Sequence, residues 1–175
     1  KVQNDGTPVK FVAYYPYNAD IRNFNYPVQL AAQERGSTAC DLLYAATNEE
    51  YIYAPENEPH IALNFSHRLA KVILKFVDLE KNPLEVSDVR IEGMQTEASF
   101  NVQTDVLTVD ESSVATITPY HNATTGFYEA IILPSALKDS YKVSFVLDDR
   151  ETEWIFTNLD IALPQFPKGY SYTFA

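Results

Sequence analysis

The sequence predicts an all-β protein built as a β-sandwich, and three observations carry that prediction. Apolar and polar residues alternate with a period of two along many short segments, as where Val72, Leu74 and Phe76 oppose Lys71 and Lys75. The chain of 175 residues holds twelve Tyr and ten Phe, and these, with Val, Ile and Thr, suit a pleated, half-buried surface. Pro, Asn, Asp and Ser punctuate the segments, since only five glycines are present, and no amphipathic helix of useful length interrupts them. Such alternation gives each sheet one buried and one wet face.

The elements follow in order. Val9–Tyr15 reads as a strand that ends at Pro16. Residues 18–26 carry Asn18, Asp20, Asn23 and Asn25 in turn positions and read as a long loop. Val28–Leu30 and Asp41–Ala45 read as short strands. Residues 48–59, with four Glu and two Pro, form the best linker, so a domain boundary is expected near Asn57. Residues 1–56 would then be the late part of an N-terminal β domain, and residues 57–175 a C-terminal sandwich.

In that second unit Ile61, Leu63 and Phe65 mark one strand and Val72, Leu74 and Phe76 another, with a helical turn conceivable only at Ser66–Lys71. Asn82-Pro83 marks a turn, and Val86–Glu92 places Val89 and Ile91 on one face. Ser99–Val109 reads as a hairpin turning at Thr104-Asp105. Val114–Thr118 and Phe127–Leu133 follow. Tyr141–Leu147 and Glu153–Thr157 form a hairpin across Asp148–Arg150, and Leu159–Leu163 and Tyr170–Phe174 complete the set.

The formal net charge of −11 repels phosphate backbones, so nucleic acid is not an expected partner. Cys40 is the single cysteine; it reads as a small buried hydrophobe, because one thiol supports neither an internal disulfide nor a zinc cluster. No run approaches the roughly 18 apolar residues of a membrane span. The chain begins at Lys1 rather than Met, and is expected to be a mature or trimmed form whose export signal or lipid-anchor cysteine lies upstream.

Motifs for catalysis are missing. His60, His67 and His121 form no metal-ligand spacing, and no nucleophile elbow, phosphate loop or dinucleotide fingerprint occurs. The acidic pairs Asp110-Glu111 and Asp148-Asp149 sit in turns, where solvation is the ordinary state and a surface calcium site the sharper alternative. No enzyme activity, cofactor or metal is expected. Among the aromatics, Tyr17 and Tyr51 are the candidates for stacking on a ligand, with Trp154 a further candidate; core packing or cross-strand pairing is the commoner fate of such residues.

Five segments in order carry a more specific signal: Phe11-Val-Ala-Tyr-Tyr-Pro-Tyr17, Asp41-Leu-Leu-Tyr-Ala45, Ile61-Ala-Leu-Asn-Phe-Ser-His-Arg-Leu-Ala-Lys-Val72, Tyr128-Glu-Ala-Ile-Ile-Leu-Pro134 and Gly169-Tyr-Ser-Tyr-Thr-Phe174. Together they resemble the fimbrillin (Mfa-like) family of Gram-negative anaerobes. The resemblance implies two transthyretin-like, Greek-key β-sandwich domains, the first of them incomplete here. It implies export as a surface lipoprotein of the outer membrane and, in many members, assembly into a pilus or fimbrium by β-strand donation between subunits. Tyr170, Tyr172 and Phe174, alternating at the C-terminus, are the candidates for filling or lining a strand-exchange groove. Other pilus subunits are the expected partners. The alternative is a surface-anchored adhesin for a glycan or a host protein.

Overall fold

A computed structural model describes residues 7–33, 36–52, 60–136, 138, 140–147, 153–157 and 165–175. Among these residues the regular structure is β, apart from one 3-10 turn at Ser37–Ala39. The strands are β1 (Val12–Tyr15), β2 (Asn25–Gln29), β3 (Leu43–Ala46), β4 (Ser66–His67), β5 (Ala70–Leu74), β6 (Val86–Gln95), β7 (Glu97–Asn101) and β8 (Val106–Val109). They continue as β9 (Val114–Ile117), β10 (Tyr120–Asn122), β11 (Phe127–Ile132), β12 (Ser135–Ala136), β13 (Lys142–Leu147), β14 (Glu153–Thr157), β15 (Gln165–Phe166) and β16 (Ser171–Phe174).

Two four-stranded sheets, β10-β11-β5-β16 and β14-β13-β6-β9, pack face to face. Their inner faces follow from alternation. Ala70, Val72 and Leu74 of β5 meet Val89 and Ile91 of β6 and Val143 and Phe145 of β13 in one buried cluster. Phe76 closes one end of it, its ring 4.5 Å from Phe145 and edge-on to Tyr128 at 5.7 Å.

The outer face of β11 is buried as well. Ile131 and Leu133 point away from Ala130 and Ile132 and enter a second cluster with Tyr26, Val28, Leu30, Tyr44 and Phe100. The strands covering this face are β2-β7-β8 and β1-β3-β4. The molecule is therefore layered three deep at β11, which explains the unbroken apolar run Ala-Ile-Ile-Leu at 130–133.

Gln33 ties the layers together. Its side chain is 1% exposed. The Nε2 amide donates to the Ile131 carbonyl at 2.6 Å and to the Leu30 carbonyl at 2.8 Å, while Oε1 accepts from the Ile131 N–H at 2.7 Å. β10 pairs with β11 only as far as Glu129, so the Gln33 amide takes the place of a neighbouring strand at Ile131. The same segment reaches the third layer, since the Leu30 N–H donates to the Thr96 carbonyl and the Thr118 N–H to the Ala31 carbonyl.

Most expected strands occur, with shifted ends. Three expectations are corrected. Residues 61–65 form no ladder among the described residues, although Ile61 and Leu63 are more buried than their neighbours; alternation reports burial, and pairing needs a partner edge. Ser66–Lys71 is not a helical turn: β4 and β5 flank a bend at Arg68-Leu69 that sends Leu69 into one cluster and Ala70 into the other. The loop expected over 18–26 gives way to β2 at Asn25, and β2 keeps Pro27 because it is an edge strand, where a missing N–H costs no ladder bond. The boundary near Asn57, the Asp148–Arg150 turn and the Leu159–Leu163 strand lie outside the described residues. Strands from both sides of Asn57 share sheets, β3 with β4 and β2 with β7.

β6 runs past its expected end at Glu92 because Gly93 adopts φ +85°, at the place where its register against β9 shifts between Ile91 and Met94. A Cβ at Gly93 would lie 2.2 Å from the Ser140 carbonyl oxygen. Gly126 also has positive φ, +72°, but faces open space.

Two predictions follow from this packing. Gln33→Leu leaves the Ile131 N–H and C=O buried and unpaired, and should destabilise the fold by about 3 kcal/mol in chemical denaturation; a loss under about 1 kcal/mol would remove Gln33 from its central role. Gly93→Ala should cost well over the roughly 1–2 kcal/mol of left-handed strain expected for Gly126→Ala, because only the first also drives a methyl into backbone. Equal denaturation midpoints for the two variants would contradict the close approach at Ser140.

Candidate functional site

The C-terminal strand carries the first candidate region. β16 lies at the edge of its sheet and runs parallel to β5, with Tyr172 opposite Val72 and Phe174 opposite Leu74. The Lys71 and Lys75 N–H groups donate to the Tyr170 and Phe174 carbonyls at 2.9 and 2.8 Å. Alternate residues of a parallel strand face the same neighbour. Tyr172 and Phe174 therefore spend their backbone on β5, and the N–H and C=O groups of Ser171 and Thr173 point toward the outer edge. No described strand pairs there.

The three candidate groove residues divide. Tyr172 and Phe174 turn inward and pack against the sandwich core, Tyr172 edge-on to Phe166 at 5.2 Å. Tyr170 precedes the strand, and its side chain stays 63% exposed. The Tyr172 hydroxyl is buried and has no hydrogen-bond partner among the described residues. Burial, and then the neighbouring Tyr170, raises its pKa above the ordinary tyrosine value. A buried hydroxyl without a partner costs free energy that a paired one does not.

The two stacking candidates also separate. Tyr17 projects from the loop after β1, 80% exposed. Tyr51 is half-buried, bridged to Val9 through two backbone hydrogen bonds of 2.9 Å, with its ring against Phe11 at 6.1 Å. Tyr51 lines an open cleft of about 610 Å³, and Tyr17 does not. Trp154 sits on the edge strand β14 beside exposed Ile155 and Phe156.

The cleft is bounded by the end of β3 and the residues after it, by the Ala62–Arg68 stretch and by the turn between β7 and β8. Arg68 organises its floor. The guanidinium lies 4.9 Å over the Tyr44 ring, donates to both Asp105 carboxylate oxygens at 2.6 and 2.9 Å, and reaches the Ser66 hydroxyl. Asp105 can take this place because the turn holds it at φ +57°. That turn is itself pinned by the Asn101 side chain, which accepts from the Gln103 and Thr104 N–H groups at 3.0 Å. Burial, followed by Asp105, raises the Tyr44 hydroxyl pKa, with Arg68 opposing.

Sequence reading missed this cleft. Arg68 and Asp105 stand 37 positions apart, and neither belongs to a spacing motif. Only the polar insertion Ser66-His67-Arg68 between apolar stretches hinted that this bend was special.

Several other ionisable candidates have local structural partners, while Asp148-Asp149 lie outside the described residues. His67 Nδ1 lies 2.8 Å from an Asp41 oxygen, and His121 stacks on Tyr128 at 4.6 Å. Asp110 accepts from the N–H and hydroxyl of Ser112, and these hydrogen bonds lower its pKa. Burial and the adjacent Asp41 raise the Cys40 thiol pKa, so the thiolate that reacts is disfavoured.

Three solved structures share this fold. A candidate cell adhesion protein of Bacteroides uniformis is 23% identical, with a TM-score of 0.79 over 97% of this chain and 68% of its own. One from Bacteroides ovatus is 19% identical, with a TM-score of 0.72 over 94% of this chain and 60% of its own. One from Bacteroides thetaiotaomicron is 14% identical, with a TM-score of 0.60 over 95% and 64%. The chain thus spans about two thirds of the length of these structures. No curated protein matches the sequence. The sequence itself matches the fimbrillin-like family over residues 2–175, and the chain belongs to that family.

Proposed function

We propose that this protein is a structural or accessory subunit of a bacterial surface fimbrium, and that it assembles with other subunits by β-strand complementation. Membership of the fimbrillin-like family, and relatives described as candidate cell adhesion proteins, support a fimbrial or adhesive role at the cell surface rather than a catalytic one. Display at the outer membrane from an exported, lipid-anchored precursor belongs to the same reading and rests on the family resemblance.

One observation carries the strand mechanism. β16 is short and, among the described residues, is bonded on one side and holds the buried Tyr172 hydroxyl without a partner. A strand so placed is easily exchanged, since its loss exposes a groove that an alternating segment can refill. Backbone bonds to β5 then supply affinity, and the Tyr172 and Phe174 pockets supply register. The open side beyond Ser171 and Thr173 is a second edge that an incoming strand could extend.

A surface-anchored protein that binds a glycan or host protein is the second reading. The polar cleft beside Tyr51 is the observation that favours it.

Removing residues 170–175 should lower the thermal midpoint, and a peptide spanning Lys168–Ala175 should restore most of the loss. A truncated chain that is fully stable, or that ignores the peptide, would end the strand-complementation reading. Tyr172→Phe should stabilise the intact chain by about 1 kcal/mol, because it deletes the unpaired hydroxyl and keeps the ring. A destabilised Tyr172→Phe variant would mean that the hydroxyl has a partner.

A further inference from the structure

We infer that the cleft floored by Arg68 and Asp105 is a binding site for a neutral saccharide. This rests on the second reading above and deepens it by assigning the site and the ligand class.

Free hydrogen-bonding capacity is the first argument. The side-chain amides of Asn48, Asn64 and Gln103 line the cleft, are exposed, and make no hydrogen bond to other described residues. Other asparagines of the described residues are occupied, as where Asn101 and Asn122 cap their own turns and Asn82 bonds Asp78. Each free amide offers two donors and an acceptor. Three such groups converging on one cleft suit a ligand whose neighbouring hydroxyls both donate and accept.

Charge narrows the class. Arg68 is the one cation among the described lining residues, and Asp105 already holds it in a two-pronged pair. Glu49 adds a second carboxylate, leaving two acids against one base and a net −1. An acidic sugar, a sulfate or a phosphate would find no unpaired positive charge and would meet repulsion.

Shape agrees. A volume of about 610 Å³ falls within the roughly 300–1,000 Å³ of small-ligand sites, yet the wall is amide, hydroxyl and carboxylate rather than the usual apolar lining. Tyr51, a half-buried aromatic residue of the lining, is the side chain against which the C–H face of a pyranose would rest.

The test is a glycan array probed with the whole chain, followed by calorimetric titration of the best-bound oligosaccharide. Neutral glycans, N-acetylated ones included, should bind, and sialylated or sulfated ones should not. Asn64→Ala combined with Gln103→Ala should weaken binding at least tenfold with an unchanged thermal midpoint, and Tyr17→Ala should leave binding intact. If the double variant unfolds early, Asn48→Asp, which keeps the shape and adds charge, is read in its place with the same expected loss. Silence of the unaltered chain across the array would overturn this proposal and the glycan half of the ligand-binding reading, and would leave only a host protein as that reading's ligand. A neutral glycan whose binding survives the cleft variants would overturn the cleft assignment alone. Preference for anionic glycans would overturn the ligand class.

Discussion

The architecture depends on one hydrogen-bonding constraint: β11 is buried on both faces, and its backbone at Ile131 must be satisfied where β10 no longer reaches. A buried N–H and C=O left unpaired would cost several kcal/mol together. Gln33 meets both with a single amide, at 2.7 and 2.6 Å. The solution forces Leu30–Gln33 to cross the layers, and the crossing then serves the rest of the fold. Leu30 fills the second core, the Leu30 N–H bonds Thr96, and the Ala31 carbonyl receives Thr118. Strands early in the chain thereby become inseparable from the sandwich behind them.

The crossing explains how the edges are distributed. β11 and β5 are central in their sheet, β11 is covered front and back, and strands with one described neighbour lie at the margins. β16 contributes two inward side chains and has one neighbour among the described strands. β14 presents Trp154, Ile155 and Phe156 largely to solvent. Burial is concentrated in the middle layer, and the margins are where the strand complementation proposed above would act.

The cleft follows from the same geometry. The bend at Arg68-Leu69 delivers Leu69 to one core and Ala70 to the other, and in doing so turns the Arg68 guanidinium onto Tyr44 and toward Asp105. An arginine 13% exposed along its side chain must be paired, and the left-handed Asp105 provides the pair. The side chains of Asn48, Asn64 and Gln103 line the cleft beside this neutralised floor and make no hydrogen bond to other described residues.

The sequence by itself determined the fold class, most strand positions and the family. Each of these rests on local patterning, the alternation at Val72 and Leu74 or the ordered segments from Phe11 to Phe174, which side-chain chemistry writes directly into the chain. Tertiary structure decided which strand lies beside which. It set β16 parallel to β5 across about a hundred positions, gave Gln33 a strand's role, left residues 61–65 extended without a ladder, and joined Arg68 to Asp105. Pairing is a long-range choice made by loop closure and by the burial of both faces at once, and no short window of residues contains it. Tyr17 and Tyr51 looked alike as exposed-tyrosine candidates for the same reason; only the packing of Tyr51 against Phe11 and Val9 sets it beside a cleft.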